Sequence, residues 1–294
     1  MRTFDGRGYL SDVDSGPGRR TTTIFQSWWP GLWNHWSGGK DNYLADRLLG
    51  GIVAERYPEI ERIAELRLEA RARLVRYMVA AASVRQLAVV GCDLPVRDEV
   101  HDVAHQRDPR VRVLYVTDHP VVMVHARGLL DGAGTAGYVE AAVTDPARVL
   151  AGAAPILDLD EPVGVLFLNT FDVLGTATGR RITRAFADAL APGSHIALTH
   201  LSAQGRSLPN GRTSAERELR DLFTLWQTPP PILRDRAEVA HLLNGWSLLE
   251  PGVTSVPQWR PGSLPHQLDP SMPGRIRLVV AAARKPGVPS RLRR

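Results

Sequence analysis

From residue 83 onward the chain alternates short apolar runs with stretches of helical periodicity, and this rhythm constrains its fold more than any other feature. Strands are predicted over 87–91, 112–116, 138–142, 163–168 and 195–200, with helices between them over 97–106, 120–130, 145–153 and 179–190. The run Val163-Gly164-Val165-Leu166-Phe167-Leu168 is apolar throughout instead of alternating. A strand that is apolar on both faces must be covered on both, which happens in a parallel sheet sandwiched between helices. The later elements break the spacing: helices over 214–226 and 234–243, a strand near 247–250 and a last strand over 277–283. They predict a closing antiparallel edge. With 294 residues and 44% hydrophobic content, the chain can bury one large core of this kind.

The N-terminal third follows other rules. Residues 1–22 are polar and rich in Gly, Ser and Arg, and a disordered tail is expected there. Residues 23–82 are read as a helical cap. One helix is predicted over 43–57, and Pro58 suits the first turn of the next. Ile60, Ile63, Leu66, Leu74, Tyr77 and Met78 then recur at helical spacing. The main α/β domain is placed at 83–284 and a basic tail at 285–294. The single cysteine, Cys92, excludes an internal disulfide and fits a reducing, cytoplasmic setting. No apolar h-region opens the chain and no apolar run spans a bilayer, so neither a secretory signal nor a membrane partner is expected. The net charge of +5 comes from arginines interleaved with Glu and Asp, which predicts a solvated surface and no nucleic-acid interface. A small-molecule substrate is expected, and a homo-oligomer is left open.

In an open α/β sheet, ligands bind outside the carboxyl ends of the strands, near the point where strand order reverses. The predicted ends carry Gly91-Cys92-Asp93-Leu94, Thr117-Asp118-His119, Asn169-Thr170-Phe171-Asp172 and His200. Gly91 permits a tight turn. Asp93 stands where a dinucleotide fingerprint needs its second glycine, and a carboxylate there would repel a pyrophosphate. NAD and FAD are therefore not expected; a cationic or uncharged cofactor is easier to place, beside the plainer reading of a β-to-α turn. Asp118 is a candidate for gripping ribose hydroxyls, or alternatively a helix N-cap before Pro120. His101 and His105 lie four apart but lack the pattern of a metal helix, so no metal site is expected.

The segment 28–47 differs from the rest in composition. It holds four of the seven tryptophans and Lys40, one of two lysines among 36 basic residues. Trp29, Trp33 and Trp36 share roughly one helical face, which reads either as lid packing or as an aromatic wall beside a cationic ligand. Gly38-Gly39-Lys40-Asp41-Asn42 offers close backbone approach together with donors, acceptors and charge.

The run Asn34-His35-Trp36-Ser37-Gly38-Gly39-Lys40-Asp41-Asn42-Tyr43-Leu44-Ala45-Asp46-Arg47 resembles the N-terminal signature of a bacterial S-adenosyl methyltransferase family. The resemblance continues through Leu94-Pro95, Glu99-Val100-His101-Asp102-Val103-Ala104, Thr199-His200 and Val256-Pro257-Gln258-Trp259-Arg260-Pro261. It implies a Rossmann-like class I methyltransferase fold, a mostly parallel seven-stranded sheet with an N-terminal helical cap. It also implies S-adenosylmethionine as cofactor and methyl transfer to an unidentified acceptor. On this resemblance Gly38, Gly39, Lys40, Asp41 and Asn42 hold the cofactor with Gly91, Cys92, Asp93 and Leu94. Asp118 reaches its adenosine, His119 and Thr170 are further cofactor-binding candidates, Asn169, Phe171 and His200 face the methyl group or the acceptor, and His200 or Tyr43 is the candidate base.

The chain also departs from the family pattern. Val89, Thr117 and Ala142 stand where the family places acids around the cofactor, and Asp93 replaces a glycine. These departures keep two alternatives in view: a catalytically inactive binding or regulatory relative, and a pocket repurposed for another small molecule and lined by the tryptophans.

Overall fold

The structure, a computed structural model, describes residues 28–130, 134–203, 213–260 and 275–287. The tail expected over 1–22 and most of the one expected over 285–294 lie outside the described residues. Five parallel strands form the body of the sheet: β1 (Gln86–Val90), β2 (Arg112–Thr117), β3 (Ala136–Glu140), β4 (Gly164–Leu168) and β5 (His195–Ala203). β6 (Ser247–Leu248), β7 (Thr254–Ser255) and β8 (Ile276–Arg284) complete it. The order is β3-β2-β1-β4-β5-β8-β6, with the two-residue β7 pairing off this path with β8. β8 runs antiparallel to β5 from His195↔Arg284 to Ala203↔Ile276, so the antiparallel closure expected from the late spacing is present. Chain order reverses direction between β1 and β4, and their carboxyl ends flank the switch point.

The apolar runs divide by strand parity. Leu87 and Val89 face a core shared with Leu74, Met78 and Leu278, while Ala88 and Val90 face one shared with Phe167, Phe186 and Ile196. The first core is covered by the cap and by α4 (Val100–His105). The second is covered by α6 (Pro146–Ala153), α7 (Thr176–Ala189) and α9 (Arg236–Leu242). α5 (Pro120–Leu130) follows β2, and α8 (Ser214–Leu225) packs Ala215, Leu219, Leu222 and Phe223 into the first core.

The cap consists of α1 (Trp29–Trp36), α2 (Leu44–Arg56) and α3 (Glu59–Arg76), which runs on into a π-helical turn, Tyr77–Ala81. The tryptophan segment is thus a helix. Trp33 and Trp36 are buried edge-to-face at 5.3 Å, and Trp29 stacks on Phe223. Cap and sheet share one core. Asp46 joins the first two cap helices: its fully buried carboxylate accepts from the backbone N–H of Trp28 (3.0 Å) and of Tyr43 (2.8 Å). Gly31 makes room for it, since a Cβ there would lie 2.2 Å from Asp46 Oδ2. Gly31→Ala is therefore expected to cost about 1–3 kcal/mol through overpacking. It should appear as a lower urea midpoint with an unchanged m-value. Among the described residues no helix is long and apolar enough to cross a membrane.

Candidate active site

The β1 turn is held against its neighbours. Gly91 has φ +77, and the N–H groups of Gly91 and Cys92 both donate to Val116 O (2.9 and 3.0 Å). A Cβ on Gly91 would meet Thr170 Cγ2 at 2.7 Å, so glycine serves both the left-handed conformation and the close approach of the β4 turn. Thr170 closes the contact by donating Oγ1–H to Val90 O (2.9 Å).

The group that organises this end comes from α3. Arg67, 5% exposed, donates to the Asp93 carboxylate, to Asn169 Oδ1 (3.1 Å) and to Leu168 O (3.2 Å). Its guanidinium lies 5.0 Å from the Trp33 ring centroid, so the attraction between an aromatic face and a cation is realised inside the protein. One turn on, Arg71 pairs with Glu99 (2.9 Å) and donates to the carbonyls of Arg97 and Asp98. The two arginines together clamp the β1–α4 loop onto the cap. Burial pushes the Asp93 carboxyl above its ordinary value, with Arg67 opposing the shift. The Cys92 thiol is pushed up by burial and by the neighbouring Asp93, so it is an inert thiol and not an activated one.

Two small cavities adjoin this pair. One of about 20 Å³ is lined by Arg67, Val89, Gly91, Asp93 and Leu168 among others. One of about 30 Å³ lies between Cys92, Asp93, His101, Tyr115, Val122 and Ala126. Each has room for roughly one or two waters.

The residues singled out from sequence fall into three groups. Gly91, Cys92, Asp93, Leu94, Asn169 and Thr170 gather at the switch point. The cap turn lies beside them: Asn34 Nδ2 donates to Pro95 O (3.3 Å), and its Oδ1 accepts from Asp41 N (3.1 Å) and Asn42 Nδ2 (2.9 Å). In that turn Asn42 is buried and used internally, Gly39 leaves space for the Asn34 side chain, and Lys40 and Asp41 are exposed. At the β2 end Asp118 is exposed, and His119 lies face to face with Trp28 at 3.9 Å.

His200 is corrected by the structure. It is 0% exposed; its Nε2 accepts from Arg234 (2.7 Å) and its Nδ1 meets Leu201 O (2.6 Å) and Asp172 Oδ1 (3.0 Å). Burial and the neighbouring Arg234 push its pKa down to about 3. A neutral ring with both nitrogens engaged and no solvent access is a structural element, not a base that meets a substrate. Phe171 is likewise fully buried, 4.6 Å from Phe167 in the core. His101 and His105 are satisfied by Tyr115 OH (2.8 Å) and Val111 O (2.9 Å).

Sequence reasoning missed Arg67 and Arg234. Arg67 and Arg71 continue the buried stripe of Ile60, Ile63, Ala64, Leu74 and Val75. Two arginines in the core-facing register of an amphipathic helix are a readable signal of buried charge. Arg234 precedes the N-cap Asp235 of α9 with no periodic context to mark it.

A parallel sheet of this order with an antiparallel β8 wedged beside β5, capped by helices over a polar switch point, defines a class I methyltransferase fold. The sequence agrees, since the profile of a family described as S-adenosyl methyltransferase matches residues 27–286. The chain belongs to that family. It is similar to a crystal structure from Thermobifida fusca YX, assigned provisionally as a methyltransferase, with 26% identity and a TM-score of 0.80 over 90% of this chain and 96% of that one. It is also similar to a DUF574 family protein from Streptomyces avermitilis, with 27% identity and a TM-score of 0.79 over 89% of this chain and 98% of that one. No curated protein matches the sequence. The activity is S-adenosylmethionine-dependent methyl transfer.

The residues present fit this cofactor at its amino-acid end. That end is a zwitterion, and Arg67 and Asp93 supply the complementary cation and anion at the switch point. The positions where the family places acids around the cofactor are altered: Val89 and Thr117 are buried without a carboxylate, Ala142 has none to offer, and Asp118 is turned to solvent. Arg67 and Asp93 meanwhile satisfy each other.

Proposed function

We propose that Arg67 and Asp93 form the subsite for the amino-acid end of S-adenosylmethionine, and that this charged pair takes over anchoring from the acids that the family places around the cofactor and this chain lacks. The observation that supports the reading is a largely enclosed Arg–Asp pair at the β1/β4 switch point, with side chains 7% and 15% exposed. Bound there, the cofactor supplies a methyl group already activated as an electrophile. The protein's part is placement, because transfer between held reactants gains mainly from proximity and orientation. Arg67 offers N–H donors to a carboxylate, and Asp93 accepts from an ammonium. Trp33 flanks the guanidinium, and the Gly91 turn fixes where Asp93 projects. With His200 enclosed, the half-buried Tyr43 beside Trp28 is the remaining candidate to take a proton from the acceptor, which we read as a small molecule.

The test is calorimetric titration with S-adenosylmethionine and S-adenosylhomocysteine, which share the zwitterionic end. Both are expected to bind. Asp93→Asn is expected to weaken both by about ten- to a hundredfold, the loss of one charge-assisted hydrogen bond. Absence of binding by the wild type at millimolar ligand is what the inactive-relative alternative predicts and would sink this reading. Unchanged or tighter binding by Asp93→Asn would remove the pair from the cofactor site.

A further inference from the structure

Behind Arg67 a chain of buried polar groups crosses the carboxyl end of the sheet. Asn169, at φ +61, donates its backbone N–H to Thr199 O (3.1 Å), and its Oδ1 accepts from Thr199 Oγ1 (2.8 Å) and Arg67 Nε (3.1 Å). Its Nδ2 donates to Asp172 Oδ2 (2.7 Å). Asp172 Oδ1 accepts from Leu201 N (3.0 Å) and lies 3.0 Å from His200 Nδ1. His200 Nε2 meets Arg234 at 2.7 Å, and Arg234, 1% exposed, donates further to Phe171 O and Leu174 O.

The chemistry of the two ends fixes every orientation between them. A guanidinium only donates. His200 Nε2 must therefore accept from Arg234, so Nδ1 carries the ring proton and points it at Leu201 O and Asp172. The Asp172 carboxylate receives from Leu201 N, from His200 and from Asn169. The Asn169 amide must then turn its NH₂ to Asp172, which leaves its oxygen for Arg67, a second obligate donor. With its carboxylate ionised, Asp172 is an acceptor only, and it completes this order from the side opposite Arg67.

We propose that Asp172 is a positioning residue that aims Arg67 at the cofactor's amino-acid subsite by fixing the orientation of the Asn169 amide. This rests on the assignment of Arg67 to that subsite. Asp172 touches no substrate; it acts through Asn169. In Asp172→Asn the new NH₂ avoids the two donors at Leu201 and His200 and faces Asn169, whose amide turns over. Arg67 Nε–H then meets a donor and leaves its place.

The test uses the ligand-free full chain above pH 7, where Asp172 is ionised, and reads the arginine Nε–H resonances by ¹⁵N NMR, with Arg67→Lys identifying the Arg67 signal. The wild type is expected to show a slowly exchanging Arg67 Nε–H, and Asp172→Asn to lose it. Affinity for S-adenosylhomocysteine should fall about tenfold or more in step, as for loss of a charged hydrogen bond. The double variant N169D/D172N puts donors and acceptors back in order with the charge moved from position 172 to position 169. It is expected to regain the signal, and with it an affinity within about threefold of wild type, a difference below 1 kcal/mol. A folded Asp172→Asn that keeps the signal, or a folded double variant that lacks it, overturns the proposal, and the second arm holds even where Asp172→Asn does not fold. Failure of the wild type to bind S-adenosylhomocysteine would instead overturn the assignment of Arg67 to a cofactor subsite, while the Nε–H result still reports whether Asp172 orients Arg67.

Discussion

Arg67→Met is expected to lower stability by about 3–5 kcal/mol, because it leaves a largely buried carboxylate without its partner. Asp93 lies in a loop already raised in pKa by burial, and Arg67 is the first charge that opposes that shift. The substitution also removes the donors to Asn169 Oδ1 and Leu168 O. In a chain of this size the change corresponds to a melting temperature lower by roughly 5–8 °C. The double variant R67M/D93L removes both charges together, and apolar replacement of a whole buried pair is often neutral. It is expected to recover at least about half of the lost stability, as judged from urea midpoints, since the pair's desolvation cost goes with it. Neither variant is expected to bind S-adenosylmethionine in calorimetry. If the double variant were as unstable as Arg67→Met alone, the cost would lie in the lost packing over Trp33, and the ion pair would not be the organising contact.

The second large effect concerns pH. Burial pushes Asp172 up to about 7 from 3.8, while burial and Arg234 push His200 down to about 3 from 6.5. The charged groups facing them are Arg67 from α3, Arg234 before α9 and Glu238 in α9. Between pH 3.8 and about 7 the folded state holds a proton on Asp172 that the unfolded chain has released. The stability this group contributes is therefore full below 3.8 and lost as pH rises through 7. His200 has the opposite sign: its contribution is present above 6.5 and lost as pH falls toward 3. Each slope is about 1.4 kcal/mol per pH unit, and across the shared interval the two nearly cancel in the wild type. His200→Gln unmasks the Asp172 slope. Its urea midpoint, measured at several values between pH 4.5 and 6.5, is expected to fall as pH rises relative to the wild type. A rising midpoint would show that the buried proton is not on Asp172. Above its own pKa the ionised Asp172 is the acceptor that the Asn169 amide and the His200 ring both address.

Much of the fold is legible in the residue pattern because burial imposes periods. Strands covered on both faces read as unbroken apolar runs, and β1, β4 and β5 appear within a few residues of their predicted places. The long cap helix is legible from its 3.6-residue stripe. The tryptophan segment misleads on ligand binding, since aromatic content signals a binding wall and a packed helix alike. Only its neighbours decide, and Phe223, His119 and Arg67 occupy the faces of Trp29, Trp28 and Trp33. His200 misleads for a related reason. A histidine at a strand end is a candidate base only where its ring reaches solvent, and Arg234, 34 residues away in sequence, closes that route.

The sequence by itself determined the sheet, its helical layers, the methyltransferase family and the loops that meet at the switch point. These follow from local periodicity and from short motifs, which a chain carries without reference to its distant parts. Only the tertiary structure decided which charges meet. Asp93 is 26 residues from Arg67, and Arg67 is 102 from Asn169. Pairings across such separations are set by how α3 crosses the ends of β1 and β4. No spacing rule in the chain encodes that crossing, because it is the packing of the cap on the sheet that brings a guanidinium to the switch point.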